Sequence, residues 1–567
     1  MTVFRRLRAH AAPVLAAPVL AAPVWAALLA ALASPRAARA DLAEDQVLVI
    51  YDSRVLDSRA VAEFYVGSAK VPGGAGNLPG LHPGARALDI STLSATGGGA
   101  AGVIPCGSPP CPATPDVSYG DFAARFRDPI RNYLVAQSLQ RRVSCLVLTK
   151  GLPHRVHDSD SFGIGDNTSG AATETNNGDA TYCALESELS LLLINLNAGE
   201  AGGAGDSKAD GMIINPYWKA TTGFGAWRTF YNQSTKSITN NVGVGLIWKG
   251  ATGTSSAALN PGDMYLVARL DGNSLADVQN ALMRAQNIVL DEDTSAIILD
   301  ESGSDGIVSP ISDTDTEFDN DGPAAINNGD DYEQTRDALI ADRRWLPANI
   351  RYDPASGPAN FLVGPLVSFG GGIVVSNNIA HLASLGANHA GGAPGAAASQ
   401  YAQSFNYQNG ATFNTIESFN ARAFGGQGSL AGQEQASDFI ASGGTLAVGN
   451  VFEPFSLSVP DNLLFVQNFW LGNMTFIEAA YSSFPVISWQ QIAIGDPLAR
   501  VRRKREDINA DGRVDTDDLY AWNEVPSPPD LNRDGTVNAA DYAILEKSVR
   551  AFENAALNQT TIGKQMD

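Results

Sequence analysis

Beyond its first forty residues the sequence has no run of about 20 apolar residues, which excludes a membrane-spanning helix there. Basic residues are scarce too: 38 Lys and Arg stand against 60 Asp and Glu, a formal net charge of -22. A field of that sign repels nucleic acid and anionic membranes and attracts divalent cations. No GxSxG elbow, HExxH helix or phosphate loop occurs between residues 41 and 500, and the SFGGG of 368–372 lacks the lysine and spacing of a phosphate cradle. The four cysteines all precede residue 184. Cys106 and Cys111 flank GSPP in a Pro/Gly loop, where an oxidising compartment favours a local disulfide. Cys145, inside the apolar run SCLVLT, reads as a small buried hydrophobe.

What is present begins with an export signal. Arg5, Arg6 and Arg8 precede an Ala/Val/Leu stretch ending in ALASPRAARA, so residues 1–40 read as a signal peptide cleaved after Ala40. Its removal takes five arginines and no acids, leaving 33 basic residues against 60 acidic ones. The expected product is secreted, extracellular or on the cell surface. A length of 567 residues, at roughly 150 per domain, predicts two to four units.

The body, residues 41–500, repeats one pattern: an apolar run, a polar turn, then a segment with helical apolar spacing. QVLVIYDSRVLDSRAVAEFY starts it, with Val61, Phe64 and Tyr65 on the helical face. RRVSCLVLTKGLP, MYLVARLDG, SAIILD, NFLVGPLVSFGGGIV, GGTLAVGNVFEPF and WQQIAIGDPLA read as further strands. DFAARFRDPIRNYLVAQ, ATYCALESELSLLLINL and NFWLGNMTFIEAAYSS read as helices, and Ser274 as the N-cap of another. Residues 67–118 read as one long Gly/Pro/Ser loop. Repeated βα units predict an α/β fold with a mainly parallel sheet flanked by helices, divisible at about 41–300 and 301–500. In such sheets sites gather at the carboxyl ends of strands, which singles out Asp52, Lys150 and Asp271. Glu453 and Asp496, each before a proline at an inferred strand exit, are candidates to line a cleft beside Trp470 or Trp489. His154, His157 and Asp158 form a candidate metal cluster in a loop, and the acidic stretch 313–322 a candidate cation loop.

VRRKRE, 501–506, reads as a basic linker, and after it one dodecamer occurs twice, DINADGRVDTDD at 507–518 and DLNRDGTVNAAD at 530–541. Each places oxygen donors at positions 1, 3, 5, 9 and 12 and a glycine at 6. In the first these are Asp507, Asn509, Asp511, Asp515 and Asp518 with Gly512; in the second, Asp530, Asn532, Asp534, Asn538 and Asp541 with Gly535. The backbone carbonyls of Arg513 and Thr536 supply position 7. Six to eight hard oxygens on a twelve-residue loop suit Ca2+, with the glycine permitting the sharp turn. Val514 and Val537, at position 8, are expected to pack the loops together, and Leu519, Tyr542 and Leu545 to anchor the helices that follow. One acidic turn arises easily by chance; two full matches 23 residues apart do not.

These residues resemble a type I dockerin, in which the incoming helix of an ordinary EF-hand is missing and Asp replaces Glu at position 12. The resemblance covers about 507–552, within the small all-α, calcium-binding C-terminal domain expected at 507–555, which a tail at 556–567 follows. It implies folding on calcium and docking onto a cohesin-like protein in an extracellular assembly, usually one of carbohydrate-active enzymes. The positions that commonly read a cohesin are Thr516 and Asp517, then Ala539 and Ala540, which do not form a matching polar pair.

Over roughly 45–500, VLVIYDSRVLDSRAVAEFY, CLVLTKGLP, ALESELSLL, MYLVARLDG and the terminal IEAAYSSFPVISWQQIAIGDPL are similar to an uncharacterised family of exported bacterial proteins. Its last third resembles gingipain-type cysteine peptidases, which implies a caspase-like fold. The activity is not implied with it. Such peptidases need a His-Gly turn and a following Cys, because the imidazole assists a thiolate. Here Ser368-Phe369-Gly370-Gly371 stands in the first place and FNTIESFNARAF, with Ser418 and no cysteine, in the second. The body is therefore expected to be a non-catalytic binding or structural component. The alternative is a secreted hydrolase acting on polysaccharide or peptide, with Ser368 or Ser418 paired to His381 or His389, or with two carboxylates across a cleft.

Overall fold

VLVIY, CLVLT and LVARL are each buried along their whole length, which requires cover on both faces of the sheet they form. In the computed structural model, the described residues are 42–74, 77–157, 182–193, 213–231, 236–237, 258–259, 264–286, 288–293, 295, 297–300, 331–342, 345–353, 381–383, 407–414, 419–425, 435–452, 459–472, 474–510 and 514–550. The main sheet takes, in chain order, β1 Val47–Tyr51, β2 Arg86–Asp89, β3 Cys145–Thr149, β4 Leu266–Leu270, β5 Ile297–Asp300, β6 Ile350–Asp353, β7 His381–Ala383, β8 Thr412–Phe413, β9 Leu446–Asn450 and β10 Gln491–Ile494. Across the sheet they lie in the order β6-β5-β7-β8-β9-β10-β4-β3-β1-β2. Each neighbouring pair is parallel except β9 with β10. The protein is thus mixed α/β with a mainly parallel sheet flanked by helices.

The pairing of β1, β3 and β4 sets Ile50 beside Leu148 and Leu148 beside Arg269. Asp52, Lys150 and Asp271 consequently leave the sheet side by side. Helix α1, Leu56–Val66, follows β1 and buries Val61, Ala62, Tyr65 and Val66 against it. Helix α2, Leu275–Ala285, starts on a capping box in which the Ser274 hydroxyl accepts from the Asp277 N–H. Its buried Val278, Ala281, Leu282 and Ala285 follow helical spacing, and burying Val278 and Leu282 stabilises by about 1.5–3 kcal/mol each.

Four segments differ from the sequence reading. Residues 67–118 are interrupted by β2, a half-buried edge strand, RALD, whose charged ends leave it without an apolar signature. The helix expected over 121–137 widens to a π turn at Ala123–Arg127 before Asp128–Ala136, absorbing Pro129, which has no N–H to give the ladder. ALESELSLL shortens to α3, Leu185–Leu189, in which Glu186 and Glu188 are as buried as the leucines. The basic 501–506 is no free tether: Val501–Arg503 is a strand paired in parallel with Ile288–Leu290. Cys106 and Cys111 are disulfide-bonded, and Cys145 is buried and free.

The exit of α1 depends on two glycines in close contact. Gly67 and Gly80 both have positive φ, 91° and 80°, and a Cβ on Gly80 would lie 2.3 Å from the Gly67 nitrogen. Backbone cannot yield as a side-chain tip can. Gly80→Ala is expected to lower unfolding free energy by about 1–3 kcal/mol, read as a shift in urea midpoint; an unchanged midpoint would show the crossing to be compliant.

Candidate calcium loops and buried charge clusters

The two dodecamers close by the same internal hydrogen bonds. Asp518 accepts at Oδ1 from the N–H groups of Ile508 (2.7 Å) and Asn509 (3.2 Å), and at Oδ2 from that of Asp515 (2.8 Å). Asp541 repeats this with Leu531 (2.7 Å), Asn532 (3.1 Å) and Asn538 (2.8 Å). Position 4 is left-handed in both, Ala510 at φ 60° and Arg533 at φ 52°. In the second loop the Asp530 carboxylate accepts from the N–H groups of Asp534 (3.2 Å) and Gly535 (2.7 Å), and Gly535 takes φ 90°. Asp511, Gly512 and Arg513 of the first loop lie outside the described residues.

Each loop leads into a helix, Thr516–Glu524 and residues 539–550. Val514, Trp522, Leu531, Leu545 and Val549 form a small core, with Leu519 and Tyr542 packed against it. The expected pairing of the two position-8 valines fails: Val514 is 3% exposed, Val537 46%. The second loop therefore presents its valine to solvent.

Hard oxygens from Asp, Asn and a carbonyl suit Ca2+ in kind. Among the described residues no group of three or more His, Cys, Asp or Glu is placed to hold a metal ion. The second loop's donor set is only half carboxylate, however, completed by Asn532, Asn538 and the Thr536 carbonyl. Asn532 Nδ2 donates to Asp534 Oδ2 and Asn538 Nδ2 to the Thr536 carbonyl, both at 3.1 Å, so candidate donors already face one another. Burial holds the Asp518 carboxyl above its usual range, against its three N–H donors, and the negative charge of Asp507 adds to this. A bound cation would add a countercharge to both carboxylates.

At the exits of β1, β3 and β4 the charges expected to line a site satisfy one another. Asp52 Oδ1 accepts from Arg54 N (3.0 Å) and Nε (2.9 Å), and Oδ2 from Arg54 Nη2 (2.6 Å) and Val103 N (3.0 Å). Lys150 Nζ donates to Asp271 Oδ1 (3.2 Å) and the Gly272 carbonyl (2.6 Å). Arg269, absent from the sequence-based candidates, is the centre of the cluster. It donates to Glu186 Oε1 (2.5 Å), Asp271 Oδ2 (2.9 Å) and the carbonyls of Leu152 (3.1 Å) and Pro153 (2.6 Å). Its exposure is 0%, and that of Glu186 1%. Burial lifts the Glu186 carboxyl above its usual range despite the guanidinium. A cation inside the apolar strand LVARL was the available signal.

His154 packs edge-on to Phe424 and its Nε2 lies 2.7 Å from the Arg422 carbonyl. Burial, and then the charges of Arg269 and Arg155, hold its imidazole well below the usual range, so the ring is neutral and Nε2 carries the proton. It is a buried structural histidine. His157 lies in a strand, Arg155–His157, but its side chain and Asp158 are outside the described residues.

Asp496 does not line a cleft. It is 1% exposed and accepts from Tyr65 OH (2.9 Å) and Gln286 Nε2 (2.7 Å), with His82 Nε2 at 2.7 Å. His82 Nδ1 faces Glu44 Oε1 at 3.1 Å. Carboxylates on both sides require both ring nitrogens to donate, the charged form. Burial alone would push the imidazole down, but Asp496 and Glu44 overcome it and hold its pKa at about 9. Reciprocally, burial would raise Asp496, and His82 brings it below the usual carboxylate range. Trp470 and Trp489 are core residues, 0% and 1% exposed.

Ser368, His389, Ser418, Glu453 and the stretch 313–322 lie outside the described residues, and His381 is described only as the first residue of β7. The expected signal peptide, 1–40, also lies outside them. No helix of the described residues is long and apolar enough to cross a membrane. Comparison of the chain with family models, curated proteins and solved structures gives no match.

Proposed function

We propose that the C-terminal dodecamers bind two calcium ions and form a dockerin-like, all-α module that docks an exported, caspase-like body onto a cohesin-like partner in an extracellular assembly. The observation that carries this reading is the repetition of one hydrogen-bond scaffold in both loops. Asp518 and Asp541 each accept from the N–H groups of positions 2, 3 and 9, and position 4 is left-handed in both. Side-chain carboxylates that order twelve residues this way hold a loop closed around the remaining donors. Asp507, Asn509, Asp511, Asp515 and Asp518 with the Arg513 carbonyl would hold one ion. Asp530, Asn532, Asp534, Asn538 and Asp541 with the Thr536 carbonyl would hold the other. The ion's role is structural: it neutralises carboxylates that otherwise repel, so binding and folding of the tail are linked.

The body reads as cargo rather than catalyst. Supporting this reading, the acids and bases at the exits of β1, β3 and β4 are engaged with each other, and Asp52, Lys150, Arg269 and Asp271 are buried. Titration calorimetry on the full chain, stripped with chelator, is expected to give two calcium-binding events and a gain in helical signal from the tail. No heat and no spectral change in millimolar calcium would overturn the calcium reading. Pulldown from a secreted-protein extract, with and without chelator, tests the partner: capture independent of calcium would overturn docking through this module.

A further inference from the structure

The second dodecamer is held from two sides by one body carboxylate. Strand Ile288–Leu290 ends in Asp291, Glu292 and Asp293, and the strand Val501–Arg503 pairs alongside it. Arg503 Nη1 bonds Glu292 Oε1 at 2.6 Å, and Lys504 Nζ bonds Asp291 Oδ2 at 2.6 Å. Asp293 then takes two guanidinium groups. Arg505 Nε stands 3.6 Å from its Oδ2, and Arg533 Nη2, from within the dodecamer, 2.6 Å from its Oδ1. Arg505 also donates from Nη1 to the carbonyl of Asp530, at 3.0 Å. Positions 1 and 4 of the second loop are therefore both fixed by groups that converge on Asp293.

From this geometry we infer that ion occupancy of the second loop and its seating on Asp293 are one coupled equilibrium, making the body part of that loop's binding unit. The inference rests on the calcium reading above. Three effects of Asp293 act in the same direction. Its charge favours a cation nearby, it pairs with the Arg533 guanidinium, and by anchoring that side chain it restricts a residue that stands at φ 52°, which reduces the ordering cost of binding. Coupling is reciprocal, so calcium must tighten the seating by the factor that seating tightens calcium.

The test uses the full chain as wild type, as Asp293→Asn, and as Glu524→Gln, which removes an exposed acid from the tail without touching this contact. Calcium titration is read by calorimetry and by hydrogen exchange of residues 288–293 and 530–541. Exposed ion pairs are individually weak, and two on one carboxylate set the expected scale at roughly three- to tenfold. Asp293→Asn is expected to weaken one of the two binding events by that factor and leave the other unchanged. It is also expected to abolish the calcium-induced protection of 288–293 expected in the wild type, whereas Glu524→Gln alters neither. Two affinities within twofold of wild type, or retained protection at 288–293, would overturn the coupling while leaving the calcium reading intact. A wild-type chain that binds no calcium overturns that reading and the coupling with it.

Discussion

Arg269→Met is expected to destabilise the protein by about 3–5 kcal/mol, the usual cost of removing one partner from a buried ion pair. The guanidinium is 0% exposed and holds together Glu186, Asp271 and the carbonyls of Leu152 and Pro153. Methionine matches the length of the stem and replaces no donor, so four acceptors lose a partner at once. Lys150 still reaches Asp271, which leaves Glu186 as the principal uncompensated group. Adding Glu186→Gln to Arg269→Met should therefore recover part of the loss, a non-additivity measurable by a double-mutant cycle in urea. A single-variant cost below 1 kcal/mol would mean that the cluster relaxes freely and that its burial fixes nothing.

The same cluster marks where sequence reasoning stopped. Strands buried on both faces announce themselves as unbroken apolar runs, and VLVIY, CLVLT, LVARL and IILD were legible for that reason. The edge strand β2 was not, because RALD is half-buried, charged at both ends and sits among glycines and prolines. Strands β7 and β8 gave too few residues for a period to emerge, and β6, IRYD, has its apolar run broken by Arg351 and Asp353. Among site residues, position in the chain placed Asp52, Lys150 and Asp271 at strand exits, and the strand pairing showed that these exits adjoin. Position alone could not show that Arg54 and Arg269 would turn inward and occupy them. His82 and Glu44 escaped altogether, since the Asp496 that partners His82 lies 414 residues away and Glu44 joins the group only through His82. The paired dodecamers were the reverse case. There the spacing is local, so the repeat is legible in the order of the residues, whereas the exposure of Val537 and the contact of Arg533 with Asp293 needed three dimensions.

The group of Glu44, His82, Tyr65, Gln286 and Asp496 makes stability depend on pH in a direction that can be worked out. The imidazole pKa is raised from 6.5 to about 9 on folding, so the folded state binds the proton more tightly. That stabilisation is fully present below about 6.5 and is lost as pH rises through 9. A shift of that size corresponds to about 3 kcal/mol. The Asp496 carboxyl is depressed below its ordinary value, so its contribution is present above about 4 and disappears as pH falls through the folded value. The two windows overlap between about pH 4 and 6.5, where this group stabilises most. Unfolding free energies from urea titrations between pH 5 and 9.5 should therefore decline on the alkaline side by about 3 kcal/mol more in the wild type than in His82→Gln. Asp496→Asn should remove the same slope from the other side, because without that carboxylate burial drives the imidazole to its neutral form. Parallel pH profiles for the wild type and both variants would show that His82 is not held as a cation, and that the three side chains meet as neutral hydrogen-bond partners instead.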